Sequence, residues 1–265
     1  MAKVLQIEEK YKITAIAGIG NYGVVMRARE LSGERLVIKV CRLAGEDTYS
    51  YTHDNEEQEW NLTLREEFLN GITRLKELSG KDWIKVPTLK HTAEVSIGAA
   101  NTLGVVIMSQ IDGVSMQDFL FESSASSASK RAMVCKAAMT LKALHSHNRT
   151  HGDAHLGNFL VSGDDLVVID LDRCLDVSPD LVLPKQRLMS MRYDIAIHLF
   201  KIPTSSWKLF VTTYDNPTVV SWKHGARFGS KKIEDARSMK KLAFEKLWPL
   251  YDEFETQQLE RVYKH

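Results

Sequence analysis

A predicted β-hairpin with polar residues at its two open ends constrains this chain more than any other stretch. Asp153 lies in a glycine-containing turn, Asn158 follows five positions later, and Asp170 ends the second of two short apolar strands. The turn between the strands falls at residues 162–165. Because a hairpin brings its entrance and exit side by side, these three polar side chains are expected to converge on one point.

Two carboxylates and an amide in this arrangement suit the transfer of a phosphoryl group from a nucleotide. One carboxylate can accept the proton of an acceptor hydroxyl, while a carboxylate and an amide can hold the metal ions that neutralise the phosphates. A single aspartate in a turn is better explained as an ordinary turn residue. The ordered set of Asp153, Asn158 and Asp170 favours function over a polar surface hairpin.

A glycine-rich stretch near the start supplies a second signal. Gly18, Gly20 and Gly23 have the GxGxxG spacing, which dinucleotide-binding folds also use, with a helix after the glycines. Here the residues alternate as strands at 11–17, 24–29 and 35–40, and the glycines follow the first of them, so the pattern is strand, glycine loop, strand. Such a loop lets backbone amides approach phosphates. An ordinary glycine-bearing hairpin is the alternative, and an NAD-binding unit would need a helix here.

Lys39 lies in the middle of the third predicted strand between apolar neighbours, so it is expected to face inward and to need a partner. A helix is predicted at 63–78, and Glu66 and Glu67 are the candidate partners on it. At about 100° per residue, Glu67 borders the apolar face and Glu66 points away, so Glu67 is preferred. Gly71, inside the same helix, has no explanation from the sequence.

The remaining elements are predicted from apolar spacing and local composition. The acidic stretch 43–60 is expected to form a solvated insertion, and the serine-rich stretch 123–129 a connector. Strands are predicted at 92–97 and 102–110, and helices at 115–121, 130–147, 194–200 and 233–251. Three tryptophans of the C-terminal part are expected in the core: Trp207, Trp222 and Trp248.

Composition limits the class of protein. The chain has 265 residues, of which 44% are hydrophobic, and a net charge of +1, which indicates one fold of two lobes without a footprint for nucleic acid. No apolar run approaches the roughly 18 residues that a membrane span needs, and the N-terminus does not look like a signal peptide. Three cysteines lack metal or disulfide spacing. These features predict a soluble, cytoplasmic protein.

The motifs together resemble the protein-kinase-like superfamily over roughly residues 11–200. The closest likeness is to its atypical members, the RIO-type kinases and the bacterial lipopolysaccharide core sugar kinases. The stretch 151–158 resembles their catalytic loop, 169–173 the metal-binding strand end of the lipopolysaccharide kinases, and 191–195 the helix that follows. The resemblance implies an α+β, bilobal fold. Residues 1–110 would form an N-lobe with an antiparallel sheet and one helix, and residues 111–265 a mainly helical C-lobe with a compact or missing activation segment.

The resemblance also implies a role for each matching residue. Asp153 would orient and deprotonate the acceptor hydroxyl, Asn158 and Asp170 would bind magnesium or manganese, and Lys39 would hold the phosphates of ATP under the glycine loop. His151 would support the loop backbone. The nucleotide pocket would further include Ile19, Val25, Glu67, Met108, Ser109, Ile111 and His155, with main-chain groups near Ser109 and Ile111 at the adenine edge and Met108 at the back.

The sequence departs from typical protein kinases in ways that bear on the acceptor. Gly152 stands where many have an arginine, Leu171 and Asp172 replace the usual Phe-Gly, and only about two dozen residues separate Asp170 from Asp194. Binding of a peptide in the ordinary way is therefore in doubt.

The leading interpretation is an ATP- and magnesium-dependent kinase acting on a hydroxyl. Because the net charge is near zero, an atypical protein Ser/Thr kinase is preferred to a kinase of a lipopolysaccharide core sugar or another small molecule. A pseudokinase or nucleotide-binding scaffold is the further alternative. The partners would be ATP and an acceptor protein or glycan.

Overall fold

The computed structural model describes residues 10–19, 23–44, 46–53, 56–97, 101–182 and 184–216. Gly20 of the glycine loop therefore lies outside the described residues. So do the predicted helix 233–251 and the two tryptophans Trp222 and Trp248.

A five-stranded antiparallel sheet forms the first half of the molecule, in the order β1-β2-β3-β7-β6. Its strands alternate side chains between two faces, as the sequence predicts. They are β1 (Tyr11–Ile19), β2 (Gly23–Glu30), β3 (Arg35–Arg42), β6 (Leu89–Ile97) and β7 (Asn101–Ser109). The strands predicted around the glycine loop and at 92–110 are confirmed.

Helix α1 (Leu64–Leu78) packs across this sheet, as predicted. Thr63 caps it in a capping box with Glu66, which satisfies backbone amides of the first turn. Phe68 reaches the sheet at Gly104 of β7, where an added Cβ would lie 2.5 Å from the ring. The absence of a side chain on that strand residue is therefore what lets the helix approach closely.

The acidic stretch expected to be a solvated insertion is a two-stranded antiparallel hairpin. It consists of β4 (Glu46–His53) and β5 (Glu56–Thr63), paired from Glu46↔Thr63 to His53↔Glu56. The sequence analysis missed these strands because their composition is acidic and polar, which strands usually avoid.

The second half of the molecule is mainly helical. Its helices are α2 (Met116–Phe121), α3 (Ser127–Ser146), α4 (Pro184–Lys201) and α5 (Trp207–Tyr214). The short strands between them are β8 (Val114–Ser115), β9 (Arg149–Thr150), β10 (Phe159–Ser162), β11 (Asp165–Val168) and β12 (Leu175–Asp176).

Two helices begin earlier than predicted. Helix α3 starts within the expected serine connector because the Ser126 side chain accepts a hydrogen bond from the Ser129 amide and caps the helix. Helix α4 starts at Pro184, ten residues before Asp194, and proline is well suited to a first helical turn. The link between Asp170 and this helix is correspondingly shorter than the sequence suggested.

One buried apolar cluster runs from α1 into the helical half. It includes Phe68 and Ile72 of α1, Leu141 of α3, and Trp207 and Phe210 of α5. Trp207 is 7% exposed, which confirms its predicted place in the core. A smaller cluster covers the other face of the sheet: Ala28, Leu36, Ile38, Val95, Val105 and Ile107. In the described ranges, no helix is both long and apolar enough to cross a membrane.

Candidate active site

The predicted hairpin is present and brings its polar ends together. Strands β10 and β11 pair in the register Phe159↔Val168, and the Ile169 amide donates to the Asn158 carbonyl at 2.9 Å. Asp170 follows with a φ of +59°, a left-handed backbone conformation that non-glycine residues rarely adopt. Such residues cluster at functional sites, and this one turns the chain at the open end of the hairpin.

Asp153 lies at the entrance of the same hairpin and is held by Asn158. The Asn158 side-chain amide donates to the Asp153 carbonyl at 2.9 Å and lies 3.4 Å from its carboxylate Oδ2. Burial raises the pKa of the Asp153 carboxyl; Asp170 and Asp194 act in the same direction, while His155 and His151 oppose them. A carboxylate with a raised pKa is a better proton acceptor than an ordinary one.

Lys39 reaches this cluster from β3 and is bound by two carboxylates. Its Nζ lies 2.6 Å from Asp170 Oδ1 and 2.6 Å from Asp172 Oδ2. Burial alone would lower the pKa of Lys39, but the adjacent charges of Asp172 and Asp170 outweigh it and raise that pKa. Lys39 is therefore a fixed positive charge at this site.

The two carboxylates that bind Lys39 differ from the expected partner Glu67, whose pairing with Lys39 stays a prediction. Glu67 does face inward, being 7% exposed, but its Oε1 lies 3.6 Å from Nε of Arg173. The carboxylates on Lys39 come instead from the chain beyond the hairpin. Sequence reasoning considered only acids on the helix, because a partner so far along the chain leaves no local pattern.

Asp172 packs against helix α1 at Gly71, which explains why this helix position has no side chain. A Cβ on Gly71 would lie 2.1 Å from Asp172 Oδ1 and 3.3 Å from its Cα. The side chain of Asn70 donates to the carbonyls of Asp172 and Cys174, at 2.8 and 2.9 Å. The helix thus fixes the segment that carries one of the two carboxylates on Lys39.

Asp194 of α4 fixes the backbone of the catalytic loop. Its fully buried carboxylate accepts hydrogen bonds from the amides of His151 and Gly152, at 2.6 and 2.8 Å. The Nε2 of His145 lies 3.1 Å from the same carboxylate, and Nδ1 of His145 lies 2.5 Å from the Tyr214 hydroxyl. Because a carboxylate only accepts, Nε2 of His145 carries the proton in this chain of contacts. The sequence placed Asp194 in a helix but gave it no role.

Gly152, which replaces the usual arginine, is required by the backbone. Its φ is +76°, and an added Cβ would lie 2.2 Å from the carbonyl oxygen of Arg173. The catalytic loop and the segment after Asp170 are therefore in contact at this residue, and any side chain here would push them apart.

Two histidines of the loop and one histidine of α4 make hydrogen bonds that hold the loop backbone. His151 Nε2 lies 3.1 Å from the Ile169 carbonyl oxygen, which fits its expected supporting role. The His155 side chain accepts from the Gly157 amide at 3.0 Å and caps the turn Leu156–Asn158. His198 of α4 donates from Nδ1 to the Ala154 carbonyl at 3.1 Å, and its burial lowers the pKa of this imidazole to about 4. His198 was not singled out from the sequence.

Comparison with known proteins identifies the family. The family model described as "Lipopolysaccharide kinase (Kdo/WaaP) family" matches residues 58–214, which is more than half of the chain and includes the hairpin. This chain belongs to the lipopolysaccharide kinase (Kdo/WaaP) family. It is an ATP-dependent phosphotransferase that acts on a hydroxyl group.

Similar folds support the assignment. The solved structure titled "WaaP in complex with acyl carrier protein" aligns with a TM-score of 0.54 and 20% identity, over 94% of this chain and 92% of that one. It confirms the protein-kinase-like fold class. No curated protein matches the sequence.

The described part of the glycine loop lies beside Lys39. Gly18 and Ile19 end β1, Gly23 begins β2, and Val25 is paired with Lys39 across the sheet. A Cβ on Gly23 would lie 2.2 Å from the carbonyl oxygen of Val40 in β3. Gly18 is paired with Val25 in turn, so in this kinase the described loop residues lie on β1 and β2, on one side of the strand that carries Lys39.

Of the main-chain amides of Ser109 and Ile111, which are predicted near the adenine edge, one is already used in a hydrogen bond within the protein. The Ser109 amide donates to the Thr88 carbonyl at 2.9 Å, so this amide is not free for an adenine. In the described part of the chain, the Ile111 amide has no acceptor and remains the candidate. Met108 is paired with Val37 of β3 and packs against the core cluster, and its place at the back of the nucleotide pocket stays a prediction.

The donor set fits a divalent cation that prefers oxygen ligands. Asp170 and Asp172 both bind Lys39, and Asp153 lies close enough to Asp170 for the charge of one carboxylate to affect the other. Asn158 uses its side-chain nitrogen for the hydrogen bond to Asp153, so its carboxamide oxygen can serve as a further metal ligand. Among the described residues, no group of three His, Cys, Asp or Glu side chains could hold a metal by itself. A kinase metal site needs fewer protein ligands, because the phosphates complete it.

Proposed function

We propose that this kinase transfers the γ-phosphate of ATP to a hydroxyl of a lipopolysaccharide core sugar. The family match supports this acceptor rather than the protein serine or threonine that the near-neutral charge favoured. Since ATP is a cytoplasmic substrate, the reaction would take place on the cytoplasmic side. The division into an N-lobe at 1–110 and a C-lobe at 111–265 belongs to the same proposal.

The short, fixed link after Asp170 is the observation that carries this choice of acceptor. Its strand β12 pairs with β9 just before the catalytic loop, and the Val177 amide donates to the Asn148 carbonyl at 2.8 Å. Arg149 adds an ion pair with Asp176 at 2.6 Å. In protein kinases the corresponding segment forms the peptide-docking platform. A link bound so closely to the chain before the loop favours an acceptor that is not a peptide.

The residues of the site divide the work as follows. Asp153, held by Asn158, accepts the proton of the sugar hydroxyl as its oxygen bonds to the γ-phosphorus and the bond from that phosphorus to the leaving ADP breaks. Lys39 holds the phosphates of ATP, and the glycine loop with Gly18, Gly20 and Gly23 covers them. Asn158 and Asp170 would hold magnesium, or manganese in its place, which supplies neutralisation of charge on the phosphates.

A transfer assay with γ-labelled ATP and magnesium tests the acceptor. We expect label in a core oligosaccharide that has first been dephosphorylated, and no label with Asp153→Ala. Asp164→Asn, which removes an exposed carboxylate from the hairpin turn, is the matched control and should stay active. Label in the protein itself or in a protein substrate, with none in the glycan, would restore the Ser/Thr interpretation. Nucleotide binding without transfer to any acceptor would favour a scaffold.

A further inference from the structure

Two carboxylates share Lys39, and they are not equivalent. Asp170 is 42% exposed and stands at the open end of the hairpin beside Asn158, where the metal would be held. Asp172 is 29% exposed and sits on Gly71 of α1. Asp170 would be shared between Lys39 and the metal, whereas Asp172 is left for Lys39 alone.

We propose that Asp172 is the permanent partner of Lys39 and the positioning residue that aims this lysine at the phosphates. This inference rests on the proposed kinase reaction but does not depend on which hydroxyl is the acceptor. It moves the acid that the sequence assigned to the helix onto the segment after the hairpin. The helix keeps a part in the arrangement, because it provides the surface on which that acid rests.

Three contacts support this exchange of roles. Asp172 Oδ2 lies 2.6 Å from Nζ of Lys39, whereas Oε1 of Glu67, the acid on the inward face of α1, lies 3.6 Å from Nε of Arg173. Gly71 leaves the space that the Asp172 side chain occupies, and Asn70 binds the Asp172 carbonyl. An Asp172 held by helix and backbone needs little reorganisation when nucleotide binds, so Lys39 stays in place.

Replacing each acid in turn distinguishes the roles. We measure kcat, KM for ATP, the magnesium concentration at half-maximal rate, and the affinity for a non-hydrolysable ATP analogue. For Asp172→Asn we expect about a tenfold or greater loss of kcat/KM and weaker analogue binding, with an unchanged magnesium requirement. For Asp170→Asn we expect a raised magnesium requirement. Glu67→Gln should cost much less than Asp172→Asn.

A double-mutant cycle tests whether Asp172 acts through Lys39. In a Lys39→Met background, Asp172→Asn should weaken analogue binding little further, because its partner is already gone. Gly71→Ala provides a second approach, since the added Cβ displaces the Asp172 carboxylate without touching Lys39. It should reproduce the Asp172→Asn pattern in milder form. Thermal unfolding of each variant without ligand shows whether the fold is retained.

Three outcomes would overturn the inference. The first is a raised magnesium requirement in Asp172→Asn, which would make this residue a metal ligand. The second is a loss of kcat/KM in Glu67→Gln as large as that in Asp172→Asn. The third is full additivity of the effects of Asp172→Asn and Lys39→Met on analogue binding. The acceptor proposal fails separately. If wild-type protein binds the analogue with magnesium but labels no glycan, the binding measurements still decide the role of Asp172.

Discussion

Asp153 combines a chemical advantage with a cost to the fold. Its side chain is 33% exposed. Burial of the rest raises the pKa of its carboxyl, with the neighbouring acids Asp170 and Asp194 adding to the effect. The same surroundings that make it a better base disfavour its charged form in the folded protein. A residue with these properties is a common feature of catalytic sites.

The cost can be measured with Asp153→Asn. A carboxyl whose pKa is raised in the folded state contributes stability below its ordinary pKa, and this contribution is lost as pH rises through the raised value. Asp153→Asn should therefore abolish transfer and yet raise the unfolding temperature at neutral pH, with a smaller gain near pH ~4. Thermal unfolding against pH, beside Asp164→Asn, checks it. A loss of stability at neutral pH in Asp153→Asn alone would contradict the pKa direction.

At the scale of elements, helix α4 holds the catalytic loop with two buried polar side chains one turn apart. Asp194 accepts hydrogen bonds from the amides of His151 and Gly152, and His198 donates a hydrogen bond to the carbonyl of Ala154. Residues four apart lie on one face of a helix, so a single face supports the loop on both sides of Asp153. Both side chains are fully buried.

This face makes the fold sensitive to acid. The pKa of His198 is lowered from 6.5 to about 4 in the fold, which corresponds to about 3 kcal/mol of unfolding free energy. A histidine with a lowered pKa contributes stability above its ordinary pKa, and this is lost as pH falls towards about 4. His198→Gln can keep the donor to Ala154 without titrating. Chemical denaturation should show a flatter loss of stability across this window in the variant, and an unchanged slope would refute the assignment.

The elements that sequence could predict are those with a local pattern. The strands of the hairpin before Asp170 are short apolar runs on either side of a turn, and helix α1 has a capping residue at its start. Both elements are confirmed. The start of α4 was missed because its first turns lack an apolar stripe. Helical spacing correctly turned Glu67 inward and Glu66 outward, but it could not find Asp172, since a partner for Lys39 from a distant segment depends on tertiary packing alone.

At the scale of the whole molecule, the sheet half and the helical half are joined by polar ties as well as by the common core. From α1, Asn70 binds the carbonyls of Asp172 and Cys174, and Arg74 Nε lies 3.3 Å from the latter. The same apolar cluster includes residues of α1, α3 and α5. Groups connected in this way are expected to unfold together.

Calorimetry of Asn70→Ala tests this coupling. The wild-type protein should unfold in one transition. The variant should also show one, at a lower temperature, because two partly buried carbonyls lose the Asn70 donor and only that of Cys174 keeps another, from Arg74. The expected cost is about 1–3 kcal/mol. Thr73→Ala, which removes a hydroxyl bonded only to the carbonyl of Leu69 within the helix, is the matched control. Two separate transitions in the wild type would show that the halves are independent.

The tie between β9 and β12 has a consequence for how the cell can govern this enzyme. Where a segment near an active site moves between two positions, a modifying enzyme or a binding protein can regulate activity by stabilising one of them. Here the segment after Asp170 is paired to Arg149 and Thr150, so regulation of this kind would first have to break the pairing of β9 with β12. The rate of the reaction would then depend on how much of the polypeptide is present and on the supply of its acceptor.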